Sequence, residues 1–95
     1  MIELVSENLS VPYRNLRYLV VDDDPDQRYL VARTLGTMGL SNVVEATSGR
    51  EALEVLARTE EPVDVVISDL QMPDVDGMEL IRKIGEKALP VSVIL

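Results

Sequence analysis

The chain has 95 residues, enough for one small domain and not two, and 46% hydrophobic with 27% charged residues is a globular composition. A net charge of −8 argues against nucleic acid as a direct partner, which needs clustered Lys and Arg, and favours cations or basic protein surfaces. With no Cys and no His, a disulfide framework, a thiolate or imidazole metal site, a phosphohistidine and a Ser-His-Asp triad are all excluded. No segment reaches the roughly 18 apolar residues of a membrane span. The N-terminus lacks the basic-then-apolar pattern of a secretion signal, so a cytoplasmic setting is expected. Without Trp or Phe the core must be aliphatic.

Residues 1–15 have no clear period and read as an N-terminal extension or linker; residues 16–95 form the domain. A first strand is expected over residues 16–22. Asp24 then reads as a helix N-cap, with Pro25 at the first helical position and Gln27 completing a variant capping box. The helix is expected to run to Met38, with Val31, Leu35 and Met38 on one apolar face and Gly39 as the stop. Val43-Val44-Glu45-Ala46 predicts a second strand. Ser48-Gly49-Arg50-Glu51 is a capping box opening a helix to about Thr59, with Ala52, Leu53 and Leu56 facing inward. Residues 63–68 predict a third strand whose β-branched run suits cover on both faces. A loop over residues 70–77 precedes a third helix at residues 78–87, whose inner face is Leu80, Ile81 and Ile84. Pro90 opens a fourth strand at residues 91–95. The order β-α-β-α-β-α-β implies a parallel sheet with right-handed crossovers.

The acids stand where such a sheet binds ligands, beyond the carboxyl ends of its strands. Asp22 ends the first strand, Asp23 comes directly after it, and Asp69 follows the third. Like charges that close raise one another's pKa unless a cation sits among them, so the cluster is either a metal site or a cost to stability. Mg²⁺ suits the donor set, because it takes one or two carboxylates plus waters and phosphate oxygens. A carboxylate can also act as a nucleophile and form an aspartyl phosphate. Phosphoryl transfer needs in-line placement and neutralised charge, which the acids of the first strand can supply through a metal while Asp69 attacks.

These motifs resemble the receiver domain of two-component response regulators. The matching pieces are Leu19-Val20-Val21-Asp22-Asp23-Asp24-Pro25, Ala46-Thr47-Ser48-Gly49-Arg50-Glu51-Ala52-Leu53, the run from Val63 to Leu80 with its Asp-x-x-Met-Pro-x-x-Asp-Gly block, and Leu89-Pro90-Val91. The resemblance covers residues 16–95. It implies an α/β, flavodoxin-like doubly wound parallel sheet with strand order 2-1-3-4. It implies that Asp69 is the phosphoacceptor, loaded by a histidine kinase or phosphotransfer protein. It also implies that Asp23 binds Mg²⁺ directly, Asp22 mostly through water, and the Gln71 backbone carbonyl as a further ligand. Such a domain is a phosphoacceptor and not an enzyme, beyond slow self-catalysed phosphorylation and dephosphorylation.

A complete receiver has five strands and five helices, so a partial, C-terminally truncated receiver is expected, lacking the fifth strand and last two helices. The family's hydroxyl and Lys fall beyond Leu95, and Lys83 and Lys87 on the third helix do not replace them. An uncovered fourth strand, with Val91, Val93, Ile94 and Leu95, predicts self-association through that edge. Asp74 and Asp76 read as turn residues rather than calcium ligands, and Arg28, Arg33, Arg82 and Lys83 as solvated helix faces. Two other classes remain open on the residues alone. Asp22-x-Asp24 after a strand also suits a haloacid-dehalogenase-type phosphotransferase fragment, and the short chain also suits a non-phosphorylated protein-interaction module.

Overall fold

The computed structural model describes residues 15–58, 60–69, 72, 75–86 and 92–94. Strands and helices alternate along it: β1 (Tyr18–Val21), α1 (Pro25–Thr37), β2 (Val43–Ala46), α2 (Gly49–Leu56), β3 (Val65–Ser68), α3 (Gly77–Glu86) and β4 (Ser92–Ile94). Every pairing is parallel and the sheet order is β2-β1-β3-β4, the expected 2-1-3-4. The chain therefore steps from β1 to one side for β2 and to the other side for β3. That change of direction opens a crevice at the carboxyl ends of β1 and β3.

All four residues of β1 and of β3 are buried, because side chains alternate between two covered faces. On one face Leu19, Val21 and Val66 pack with Ala52, Val55 and Leu56 of α2 and with Leu80 and Ile84 of α3. On the other, Tyr18, Val20, Val65 and Ile67 pack with Leu35 of α1 and with Leu40. Val31 and Met38 flank Leu35 on the expected face of α1, and Gly39 takes the left-handed conformation, φ 85°, that ends the helix.

Several local expectations shift. Both inner strands begin two residues late. Arg17 O accepts from the amides of both Asp64 and Val65, and the Asp64 carboxylate accepts from Arg17 N–H at 2.8 Å, so a side chain takes the place of the first ladder bond. Val55 joins the core beside the predicted Ala52 and Leu56, while Leu53 and Ile81 are half-buried. In both capping motifs the N-cap side chain does what was expected: Asp24 accepts from Asp26 and Gln27 amides, and Ser48 Oγ from the Glu51 amide. The return bond differs. Glu51 reaches the amide of Thr47, one residue before the cap, at 2.7 Å, and the Asp24 amide donates to the Asp22 carboxylate at 2.9 Å.

The extension read over residues 1–15 lies outside the described residues, except for Asn15. Thr59, Gln71, Asp74, Lys87, Val91 and Leu95 lie outside them as well. At the sheet margin, Val93 and Ile94 of β4 are half-buried, one against each core cluster.

Candidate metal centre at the strand ends

Register builds the site. Val21 of β1 pairs with Ala46 on one side and Ser68 on the other, so Asp22 and Asp69 are the first residues past the ends of neighbouring strands. Backbone bonds carry the alignment one step further: Asp22 N–H donates to Ala46 O at 3.2 Å and Asp69 N–H to Val21 O at 3.0 Å. A shift of one residue in either strand would send these side chains to opposite faces.

Asp22, Asp23 and Asp69 each present a carboxylate oxygen, and the three oxygens lie within 4.8 Å of one another. Asp22 is the buried member, 9% exposed. Burial pushes its carboxyl above the ordinary carboxylate range. The Asp24 amide pulls it partly back, and the neighbouring charges of Asp69, Asp23 and Asp24 add to the rise. Asp23 is exposed to solvent. The arrangement gathers hard oxygen donors at the mouth of the crevice and charges them against one another.

Other acids face away from this work. Asp24 is committed to capping α1, with its Oδ1 2.9 Å from Asp26 N. Asp76 caps α3, accepting from Glu79 N at 2.9 Å, which is the turn role expected of it. Gln71 and Asp74 lie outside the described residues.

One contributor escapes sequence inspection. Arg28 is no solvated face: its Nη1 donates to Asp22 O at 2.9 Å and its Nε to Glu45 Oε1 at 3.0 Å. An Arg four residues past an N-cap signals only a helix surface, and the partners come from β1 and β2. Arg82, in contrast, makes ion pairs with Glu79 and Glu86 along its own helix.

The sequence profile of the response regulator receiver domain family matches residues 18–95. The chain belongs to this family. The receiver domain is 44% identical over 81 residues to the two-component response regulator ARR2 of Arabidopsis thaliana, a match that covers 84% of this chain and 12% of that protein. It is 39% identical over 69 residues to a chemotaxis protein CheY homolog of Campylobacter jejuni, covering 73% of this chain and 52% of that one. Among solved structures, the response regulator TrrA of Thermotoga maritima, in complex with Mg(2+)-BeF, superposes with a TM-score of 0.73 at 34% identity, over 84% of this chain and 67% of that one. The chain thus spans about half the length of the chemotaxis relative and a small part of the plant regulator. Among the described residues, no helix of the receiver domain is long and apolar enough to cross a membrane.

Proposed function

We propose that this receiver domain accepts a phosphoryl group on the Asp69 carboxylate from the phosphohistidine of a histidine kinase or phosphotransfer protein, in a site loaded with Mg²⁺. The reading rests on the convergence of Asp22, Asp23 and Asp69 within 4.8 Å at the mouth of the sheet crevice. These residues fit the metal: all three donors are carboxylate oxygens, and the Asp22 carboxyl, raised first by burial and further by the charges of Asp69, Asp23 and Asp24, is a group whose ionised form a cation would favour. Asp23 would ligate directly, Asp22 mostly through water, with Asp69 and the Gln71 carbonyl completing the protein's share. Bound Mg²⁺ would offset negative charge on the transferring phosphoryl oxygens.

The chain's own work is placement. An Asp69 oxygen forms the new P–O bond as the donor's P–N bond breaks, and the departing imidazole nitrogen takes up a proton. The Asp24 amide holds the Asp22 carboxylate in one orientation, so that Asp22 need not be ordered at the moment of reaction. Asp23 is open to solvent. The domain takes one phosphoryl group and loses it slowly, without turning over a substrate. That the TrrA relative was solved with Mg(2+)-BeF supports the same reading.

The test is intact-mass measurement after incubation with Mg²⁺ and either a phosphorylated histidine kinase or acetyl phosphate. One phosphoryl adduct per chain is expected, lost with a chelator and absent from Asp69→Asn. An adduct that persists in Asp69→Asn assigns the acceptor elsewhere, and a wild-type chain that gains none refutes the proposal.

A further inference from the structure

We infer that Arg28 is a positioning residue for the metal side of the site, acting through the Asp22–Asp23 peptide, an inference that rests on the Mg²⁺ reading above. Asp22 is gripped at three points, once from β2 and twice from the cap and first turn of α1. Its amide donates to Ala46 O of β2 at 3.2 Å, and its carboxylate accepts from the Asp24 amide at the start of α1 at 2.9 Å. Its carbonyl accepts from Arg28 Nη1, also at 2.9 Å. The first two grips hold Asp22 itself. The third holds the peptide plane that leads into Asp23, because the carbonyl of Asp22 and the amide of Asp23 belong to one rigid unit.

That plane matters most for Asp23. Among the described residues no hydrogen bond holds the Asp23 side chain, so its placement depends on the backbone that carries it. Arg28 is well placed to steer that backbone. Its own amide closes the first turn of α1 onto Asp24 O at 2.9 Å, and helix side chains lean toward the N-terminus, here back over the end of β1.

Glu45 fixes the guanidinium in turn. Its carboxylate, on the β2 residue that pairs with Val20, accepts from Nε at 3.0 Å. The planar fork of Arg presents both donors in fixed relation, so one side chain ties the β1–α1 turn to β2. The Arg28 side chain is 17% exposed against 47% for Glu45, so the guanidinium is the more buried partner of the pair. A Lys has no such fork: its ammonium is a point charge on a flexible stem and does not hold two acceptors in fixed relation.

Charge and geometry predict opposite signs, which makes the inference testable. As a cation near three carboxylates, Arg28 competes with a metal, and removing it by Arg28→Ala would tighten Mg²⁺ binding. As the brace of the Asp22–Asp23 peptide, its removal weakens binding, and outer partners of metal ligands commonly carry about 10–100-fold in affinity.

The experiment is calorimetric titration of Mg²⁺ into wild type, Arg28→Ala, Arg28→Lys, Glu45→Ala and Glu45→Gln. Amide NMR of the metal-free chains and urea midpoints in a chelator accompany it. Weakening by about 10-fold is expected for Arg28→Ala, with smaller losses for Arg28→Lys and Glu45→Ala. Glu45→Gln, which keeps an oxygen acceptor for Nε, should bind close to wild type. The Asp23 amide shift should move in metal-free Arg28→Ala. Binding that is unchanged or tighter in Arg28→Ala, even with a lowered urea midpoint, overturns the role and leaves Arg28 a purely structural contact. If Arg28→Ala does not fold, wild-type affinity in both Arg28→Lys and Glu45→Ala overturns it equally. Wild-type chain that takes up no Mg²⁺ refutes the metal reading itself, an outcome separate from wild-type binding with indifferent variants.

Discussion

Replacing Gly49 by Ala tests how tightly the loop after β3 is seated on α2. Gly49 is the first residue of α2, and an ideal Cβ there meets Val75 O at 2.2 Å, Val75 Cβ at 2.7 Å and Val75 Cγ1 at 2.8 Å. These distances are far inside the 3.4–4 Å of ordinary contact. The nearest obstacle is a backbone oxygen, which no change of rotamer moves, so either α2 or the loop carrying Val75 must shift. Overpacking of this kind costs about 1–3 kcal/mol. The helix preference of Ala over Gly, at most about 1 kcal/mol in a helix interior and less at its first position, does not offset it. With a urea slope of about 1 kcal/mol per molar for a small domain, the midpoint of Gly49→Ala should fall by about 1 M or more. Gly36 in α1 and Gly85 in α3 serve as internal controls, since an added Cβ at either meets nothing within 4 Å. The same substitution there should stabilise by about 0.5–1 kcal/mol. A Gly49→Ala midpoint at or above wild type, measured beside raised midpoints for the two controls, refutes the argument that α2 and the Val75 loop are in unyielding contact.

Burial and neighbouring carboxylates raise the Asp22 carboxyl in the folded chain, so the folded state keeps this proton to higher pH than the unfolded state. Ionised Asp22 therefore subtracts stability at neutral pH, and the cost fades as pH falls through the raised folded-state value toward the unfolded one. Metal-free Asp22→Asn should melt above wild type at neutral pH, with the gap closing on acidification; Mg²⁺ should raise the melting temperature of wild type more than that of the variant. A gap that widens on acidification would contradict the sign. Ser48→Ala and Asp24→Ala each remove an N-cap acceptor and should cost about 1 kcal/mol in urea unfolding. A loss within a few tenths would mean that solvent satisfies those amides equally well.

What was legible in the sequence was whatever depends on short range. The alternation of β-branched runs with capped amphipathic segments implied a parallel α/β sheet. The caps at Asp24 and Ser48, the stop at Gly39 and the inward face of each helix, apart from Val55 of α2, follow from contacts within about four residues. Asp22, Asp23 and Asp69 were legible for a related reason: each directly follows a strand, and parallel strands deliver their ends to one edge. Strand beginnings were read two residues early because the bond that displaces the first ladder step, Arg17 to Asp64, spans 47 positions. The return legs of both capping motifs were misplaced because alternative acceptors and donors compete at the same helix ends, and geometry alone chooses between them.

By itself, then, the sequence determined the order of elements, the apolar stripe of each helix and the identity of the acids. Tertiary structure alone decided that Val21 stands level with both Ala46 and Ser68, which brings carboxylates from positions 22 and 69 within 4.8 Å. It alone converted Arg28 from a surface charge into a brace between β1 and β2, and made Gly49 a point of backbone contact with Val75. The physical reason is that propensity and periodicity act along the chain, whereas register, burial and close approach exist only once distant segments share the same few ångströms.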